Sequence, residues 1–476
     1  MANLSEDIFF ATISEMNAHL RARDFTAVEL TRAFAERLEK LGPQYNALSL
    51  MLREKGLRKA RNVDDDLKRE RYRGPLQGIP CAVKDLLSVK GKPTTWGAPP
   101  YAKQVFDYDA TVIKKLDKAA AILIAKLAMV ELAGACGYRS ASASMTGPGL
   151  NPWDRSRWAG GSSSGSGSAV AAGLVPFAIG SETWGSILTP CAYCGITGLR
   201  PTYGFVSRHG AMPLSWTMDK IGPMCRSAED CGHVLRAISG GDDLDPSSAR
   251  RTFYYAPRYA RRLADLKVGF ASVDIEDWAE PSTRPTFRAA FDAVRSLGVT
   301  MVETELADLP YELVAETIST AEAASVFEPL ITSGQVELLE DQQQIANLKA
   351  GLEIRAKDYL KAMRIRRLIQ EEMRRIFSIV DILISPSCFE TAPPIDQPLD
   401  EGYRPKPRPR KRGLSQLGAA GNLAGLPALS VPCGFAGNLP VALQIVGRPF
   451  IENDLIAVGV AFQKVTDWHL KRPPHV

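Results

Sequence analysis

The sequence predicts an α/β protein, on three observations. Short apolar runs of strand length recur at 79–83, 122–126, 175–180, 266–271 and 380–387. Stretches with apolar residues at helical spacing lie between them, so strands and helices alternate. The composition, 45% hydrophobic and 23% charged over 476 residues, is that of a globular chain able to bury a large core.

The elements follow in order. Thr26 and Glu29 form a capping box opening the helix AVELTRAFAERLEKLG, which Gly42-Pro43 ends. A charged stretch, 53–73, leads into GPLQGIPCAVKDLL, where Ile79–Val83 reads as a buried strand carrying Lys84 at its end beside Asp85. Residues 111–135 repeat the logic: a helix (TVIKKLDKAAA), a strand (ILIAK) and a second short helix. Ser168–Gly173 reads as a buried helix and Val175–Gly180 as a strand. A helix runs through CGHVLRAIS, and LKVGFA starts another strand. Ile345–Ile379 is a long amphipathic helical region ahead of the core strand VDILISPS, and LPALSVP and LPVALQIVGRP supply two more strands. No internal repeat is visible. The loop GYRPKPRPRKRG, 402–413, alternates proline with six basic residues; it reads as an extended, solvated surface loop.

Several function classes recede at once. The net charge of +5 is small for this length, where nucleic-acid binding would call for a dense basic face. The start lacks a basic segment followed by an apolar core, so no secretory signal is read. No stretch reaches the roughly 18 apolar residues of a membrane span. Eight cysteines in so long a chain do not make a disulfide framework. Cys191 and Cys194 form a lone C-x-x-C whose partners would be Cys225 and Cys231, and buried free thiols are the better reading than zinc. A reducing cytoplasm is the expected compartment.

The stretch GGSSSGSGS, 160–168, holds the functional question. A linker is disfavoured, because the following AVAAGLVPFAIG is apolar and must be buried. A phosphate loop would need a lysine after the glycines, and none follows. Gly161 to Gly165 matches the G-x-S-x-G nucleophile elbow around Ser163, but the preceding NPWDRSRWAG does not read as a strand, and His209, His233, His469 and His475 have no suggestive setting. A fourth reading joins distant parts. The turn Gly180-Ser-Glu-Thr-Trp-Gly-Ser186 follows a strand and presents backbone N–H groups and a serine. Without a suitable histidine, a buried neutral lysine can be the base, and a serine between the two can relay the proton.

On these residues the chain resembles the amidase signature family. The stretch 160–204 matches the family's serine- and glycine-rich signature, GIPCAVKD (78–85) matches the setting of its catalytic lysine, and Ser162 and Ser186 stand at the family's spacing of 24 positions. NLAGLPALSVPCGF and LPVALQIVGRPF also look like family segments, so the likeness spans roughly 70–470. The resemblance implies one α/β/α sandwich domain, 1–476, built on a large twisted mixed sheet: a helical N-terminal region to about 75, a signature core at about 76–240 and a C-terminal part at about 241–476. It makes Lys84 the base, Ser162 the bridging serine after a cis peptide bond from Gly161, and Ser186 the nucleophile. The backbone N–H groups of Thr183, Trp184, Gly185 and Ser186 become the oxyanion hole, and Ser163 a hydrogen-bond partner of Lys84. No metal or organic cofactor is implied.

The chain departs from the family in places. Relatives often read D-T-G-G-S-I-R-Q-P around the nucleophile; here the text is E-T-W-G-S-I-L-T-P. Trp184 stands where glycine is usual and either packs in the core or walls the pocket. Leu188 replaces an arginine at the pocket, which argues for a neutral, more apolar substrate. The A-type chain of the glutamine-using tRNA amidotransferase tends to carry an aspartate before its NLAGLP segment, where this chain has Ser415. Tyr138, Trp96 and Trp158 could line an aromatic-friendly pocket. The expectation is therefore an amidase acting on a neutral aryl or acyl amide, with carbamate or ester cleavage close behind. The alternatives are a glutamine-dependent amidotransferase A-type subunit and a carbamate or urea-derivative hydrolase. The expected partner is a small-molecule substrate, with no nucleic acid and no membrane; a homodimer would be compatible.

Overall fold

The computed structural model describes residues 4–257 and 260–474. Thirteen strands form among the described residues: β1 Leu48–Met51, β2 Pro80–Lys84, β3 Ile122–Leu127, β4 Leu150–Asn151, β5 Asp154–Trp158, β6 Phe177–Glu182, β7 Thr197–Arg200, β8 Lys220–Cys225, β9 Lys267–Phe270, β10 Thr300–Glu303, β11 Ile382–Pro386, β12 Ala428–Ala436 and β13 Leu439–Gly447. Eleven of them make one sheet in the order β1-β3-β2-β6-β8-β7-β12-β13-β11-β9-β10. The sheet is mixed. β3, β2 and β6 run parallel, as do β11, β9 and β10, while β8, β7, β12 and β13 join these groups through antiparallel pairs. Helices pack against the sheet, and a continuous apolar core runs from Ile8 to Phe462.

Periodicity placed most elements. The helix Ala27–Leu41 starts with the complete Thr26/Glu29 capping box. β2 and β3 are buried at every position, which is why they read as continuous apolar runs. The long helical region divides into Gln342–Gly351 and Ala356–Ile376. The segment before the Gly/Ser stretch corrects the expectation: Asp154–Trp158 is a strand, paired with Leu150–Asn151 in a ribbon outside the main sheet. Its exposed polar side chains hid it, because one face of an edge ribbon meets water. His475 lies outside the described residues. No helix among the described residues is long and apolar enough to cross a membrane.

Candidate active site

Lys84 ends β2, between β3 and β6, and is fully buried. Its Nζ donates to Ser162 Oγ at 2.7 Å and to Ser181 Oγ at 3.0 Å. Burial pushes the amine down to about 7, against the upward pull of Asp219 and Glu182. An amine in this range is poised to accept a proton near neutrality.

The Gly/Ser stretch passes between crowded neighbours. The Gly161–Ser162 peptide is cis, as the resemblance implied, and Gly160 has φ +84°. A Cβ on Gly161 would lie 2.7 Å from the Tyr138 hydroxyl and 2.8 Å from the Trp158 ring. One on Gly165 would lie 2.5 Å from Ala47 O. The chain is poor in side chains here because its backbone runs hard against its neighbours. The second half of the stretch is helical, Ser164–Ala171, and completely buried. Ser163 corrects an expectation: its hydroxyl donates to Ser181 O at 3.2 Å, and Lys84 takes Ser181 Oγ in its place. With its hydroxyl turned into the strand, Ser163 also fails as an exposed elbow serine.

β6 ends at Glu182, and a turn leads into the short helix Leu188–Cys194. Ser186 sits in that turn, 8% exposed. Its carbonyl accepts from Ser163 N at 3.3 Å, holding the two serine-bearing segments side by side. The backbone N–H groups of Thr183, Trp184, Gly185 and Ser186 meet no acceptor among the described residues, with Gly185 at φ +87°. Four free donors on one turn can receive an oxyanion. Glu182 braces that turn. One carboxylate oxygen accepts from Ile187 N and Leu188 N at 2.9 and 3.0 Å. The other accepts from Arg200 at 2.8 Å and Asn422 at 3.0 Å. Thr183 Oγ1 donates to Asp219 at 2.6 Å.

Trp184 is 39% exposed, so it is not a core spacer; its indole nitrogen lies near Gly418. Leu188 packs within the main core. Tyr138 stands edge-on to Trp158 at 6.0 Å in a small apolar cluster with Val130, Tyr193 and Ala392. A cavity of about 180 Å³ reaches Ser181 and Thr183, with walls that include Leu86, Met212, Leu214 and Trp216. Arg208 at its edge is spent on Asp245 and the Trp216 carbonyl.

Sequence reasoning missed Ser181, Glu182, Arg200 and Asp219. Ser181 was within reach: extending the strand past Gly180 puts Ser181 and Thr183 on one face. Arg200 and Asp219 carry no local signal, since their roles depend on β7 and β8 lying near β6.

A family model described as Amidase matches residues 29–456. The A-type subunit of the glutamyl-tRNA(Gln) amidotransferase of Chloroflexus aggregans is 36% identical over 491 residues, 98% of this chain and 99% of that protein. Among solved structures, the native peptide amidase of Stenotrophomonas maltophilia superposes with a TM-score of 0.84 at 28% identity, covering 100% of this chain and 99% of that one. The A-type subunit of the glutamyl-tRNA(Gln) amidotransferase of Thermotoga maritima gives 0.76 at 28% identity, over 97% and 96%. The exclusion of nucleic acid from the expected partners is overturned: a full-length relative is named as one subunit of the glutamyl-tRNA(Gln) amidotransferase. The modest net charge misled, because charge reports direct phosphate contact and is silent on membership of a larger assembly.

Proposed function

The chain belongs to the amidase family, and from that premise we propose that it cleaves an amide C–N bond through an acyl-enzyme on Ser186, with Ser162 and Lys84 as the proton relay. The observation that carries the reading is the 2.7 Å contact between the buried Lys84 amine and Ser162 Oγ, with a second hydroxyl as the amine's other partner. The relay needs the Ser186 hydroxyl beside Ser162 Oγ, and the hydrogen bond from Ser163 N to Ser186 O at 3.3 Å keeps the two segments adjacent. Ser186 Oγ attacks the carbonyl carbon, its proton passes to Ser162, and the Ser162 proton passes to Lys84. The tetrahedral oxyanion rests on the free N–H groups of 183–186. The relay then runs backwards and protonates the departing nitrogen as the C–N bond breaks, which an amide requires. Water, activated by the same relay, releases the acid. Carbamates and esters pass through the same intermediate. All eight cysteines are unpaired, which suits a reducing cytoplasm.

Of two substrate readings, the comparisons back the first more strongly. The full-length relatives favour a glutamine-using amidotransferase A-type subunit, which works with other chains and glutamyl-tRNA(Gln). A neutral amide with an apolar acyl group is favoured by the mainly apolar lining of the cavity that reaches Thr183, by Ser415 in place of an acid, and by the higher TM-score to the peptide amidase than to the amidotransferase chain. The test is to treat the purified protein with a fluorophosphonate, map the adduct, and screen glutamine, aryl amides, carbamates and esters. The adduct is expected on Ser186; labelling elsewhere refutes the mechanism. Glutamine turnover that appears only with added amidotransferase partner chains selects the amidotransferase reading. Turnover of apolar amides by the chain alone selects the other.

A further inference from the structure

Lys84 and Asp85 are neighbours in sequence and opposite in charge, yet their ends have separate partners. Successive side chains of a strand point to opposite faces, so the residue after Lys84 leaves its side of β2. Lys126, in register with Val83 on the adjacent parallel strand β3, meets Asp85 there. The ion pair is 2.6 Å from Nζ to Oδ1, with both side chains at most 1% exposed. The pair is closed on itself. Asp85 Oδ2 accepts from Ser49 Oγ at 2.8 Å, Thr95 Oγ1 at 2.5 Å and Thr95 N at 3.2 Å. Lys126 Nζ also donates to Pro93 O at 2.8 Å and Thr94 Oγ1 at 2.7 Å.

The other charges facing Lys84 are likewise engaged. Glu182, from β6, is paired with Arg200. Asp219, just before β8, takes the Thr183 hydroxyl and the N–H groups of Leu214 and Ser215. Lys220, which follows it, donates to the Met218 carbonyl. Asp85 is the carboxylate nearest to Lys84 in the chain; from the opposite face it makes no contact with the amine, and its charge, if unpaired, would act on Lys84 through space.

We propose that Lys126 is a positioning residue for the base: by closing Asp85 into a buried ion pair across β2 from the site, it leaves Lys84 with hydroxyl partners alone. This rests on the relay proposed above. A pair that served stability alone would change folding when broken and leave the titration of the site where it was. A pair that sets the charge balance of Lys84 gives shifts of opposite sign from its two halves. Lys126→Met leaves a carboxylate near Lys84 and favours the ammonium. Asp85→Asn leaves a cation and favours the free amine.

The experiment follows Ser186 labelling by a small alkyl fluorophosphonate as a function of pH, which needs no knowledge of the substrate, in variants whose folding is checked by circular dichroism. Lys126→Met is expected to move the acid limb up by about one pH unit, slowing labelling at pH 7 about fivefold. Asp85→Asn is expected to move it down, and the double variant to return it close to its starting place. Asp85→Asn and the double variant carry the test alone if Lys126→Met does not fold. Acid limbs that stay put, or move the same way in both single variants, overturn the proposal. Absence of Ser186 labelling in the unsubstituted protein at every pH removes the relay itself, and this inference with it.

Discussion

Lys84 and Glu182 end neighbouring parallel strands, and both are fully buried, yet burial has opposite results. Lys84 meets two hydroxyls and is pushed down to about 7. Burial alone would raise Glu182, but Arg200, Lys220 and two backbone N–H groups outweigh it and hold the carboxyl at about 2. Desolvation therefore makes a base only where no opposite charge offsets it. The partners decide: hydroxyls can pass a proton but supply no charge, whereas a guanidinium fixes the ionised form. One strand end is built to exchange a proton and the next to keep its charge and brace the turn.

The comparison can be broken at the chemistry it serves. Ser186→Ala is expected to lower kcat by more than about 10⁴, measured on whichever amide the screen finds, with fluorophosphonate labelling lost. Lys84→Ala follows, with a loss of about 10²–10⁴, larger for amides than for esters of the same acid because the poorer leaving group depends on the returned proton. Equal losses on both would count against the relay.

Glu182→Gln probes the other strand end. It strands a buried guanidinium and is expected to cost about 3–5 kcal/mol of stability, read from urea denaturation, with weakened turnover in the folded fraction. Its contribution is present above the ordinary carboxylate range and lost as pH falls towards 2.

The pH profile sharpens the contrast. In the proposed relay the free amine of Lys84 is the active form, so kcat/KM should fall as pH drops below about 7. The same shift has a stability sign. Between about 7 and the ordinary lysine value of 10.5, the unfolded chain holds a proton that folded Lys84 does not. Stability attributable to this residue therefore rises with pH across that window. Lys84→Met should accordingly raise the melting temperature at pH 7–8, with the gain shrinking as pH nears 10.5. Smallest of all, Trp184→Ala, which removes an exposed indole two residues before Ser186, should raise KM about two- to fivefold with kcat unchanged, the mark of binding shared by ground and transition states.

Much of this site could be read from the chain because its parts are local in pattern. Lys84 closes a continuous apolar run, Ser162 sits among residues too small for anything but tight backbone packing, and Ser186 follows a strand and a glycine turn. What escaped was relational. The resemblance pairs Ser163 with Lys84, but the helix beginning at Ser164 turns the Ser163 hydroxyl into β6 and leaves the place to Ser181. The strand Asp154–Trp158 escaped because a ribbon at the edge of the molecule shows too many polar side chains to water. Leu188 reads as a pocket residue by its position after the nucleophile, whereas the short helix it opens points it into the core.

The sequence by itself determined the layer class, the strands and helices of the signature region, and the residue types a serine–lysine relay needs, because periodicity and backbone crowding act over a few residues. Only the tertiary structure decided which charges meet. Arg200 reaches Glu182, and Lys126 reaches Asp85, through strand order. A buried charge is governed by whatever stands within a few ångströms of it, and chain distance says nothing about that.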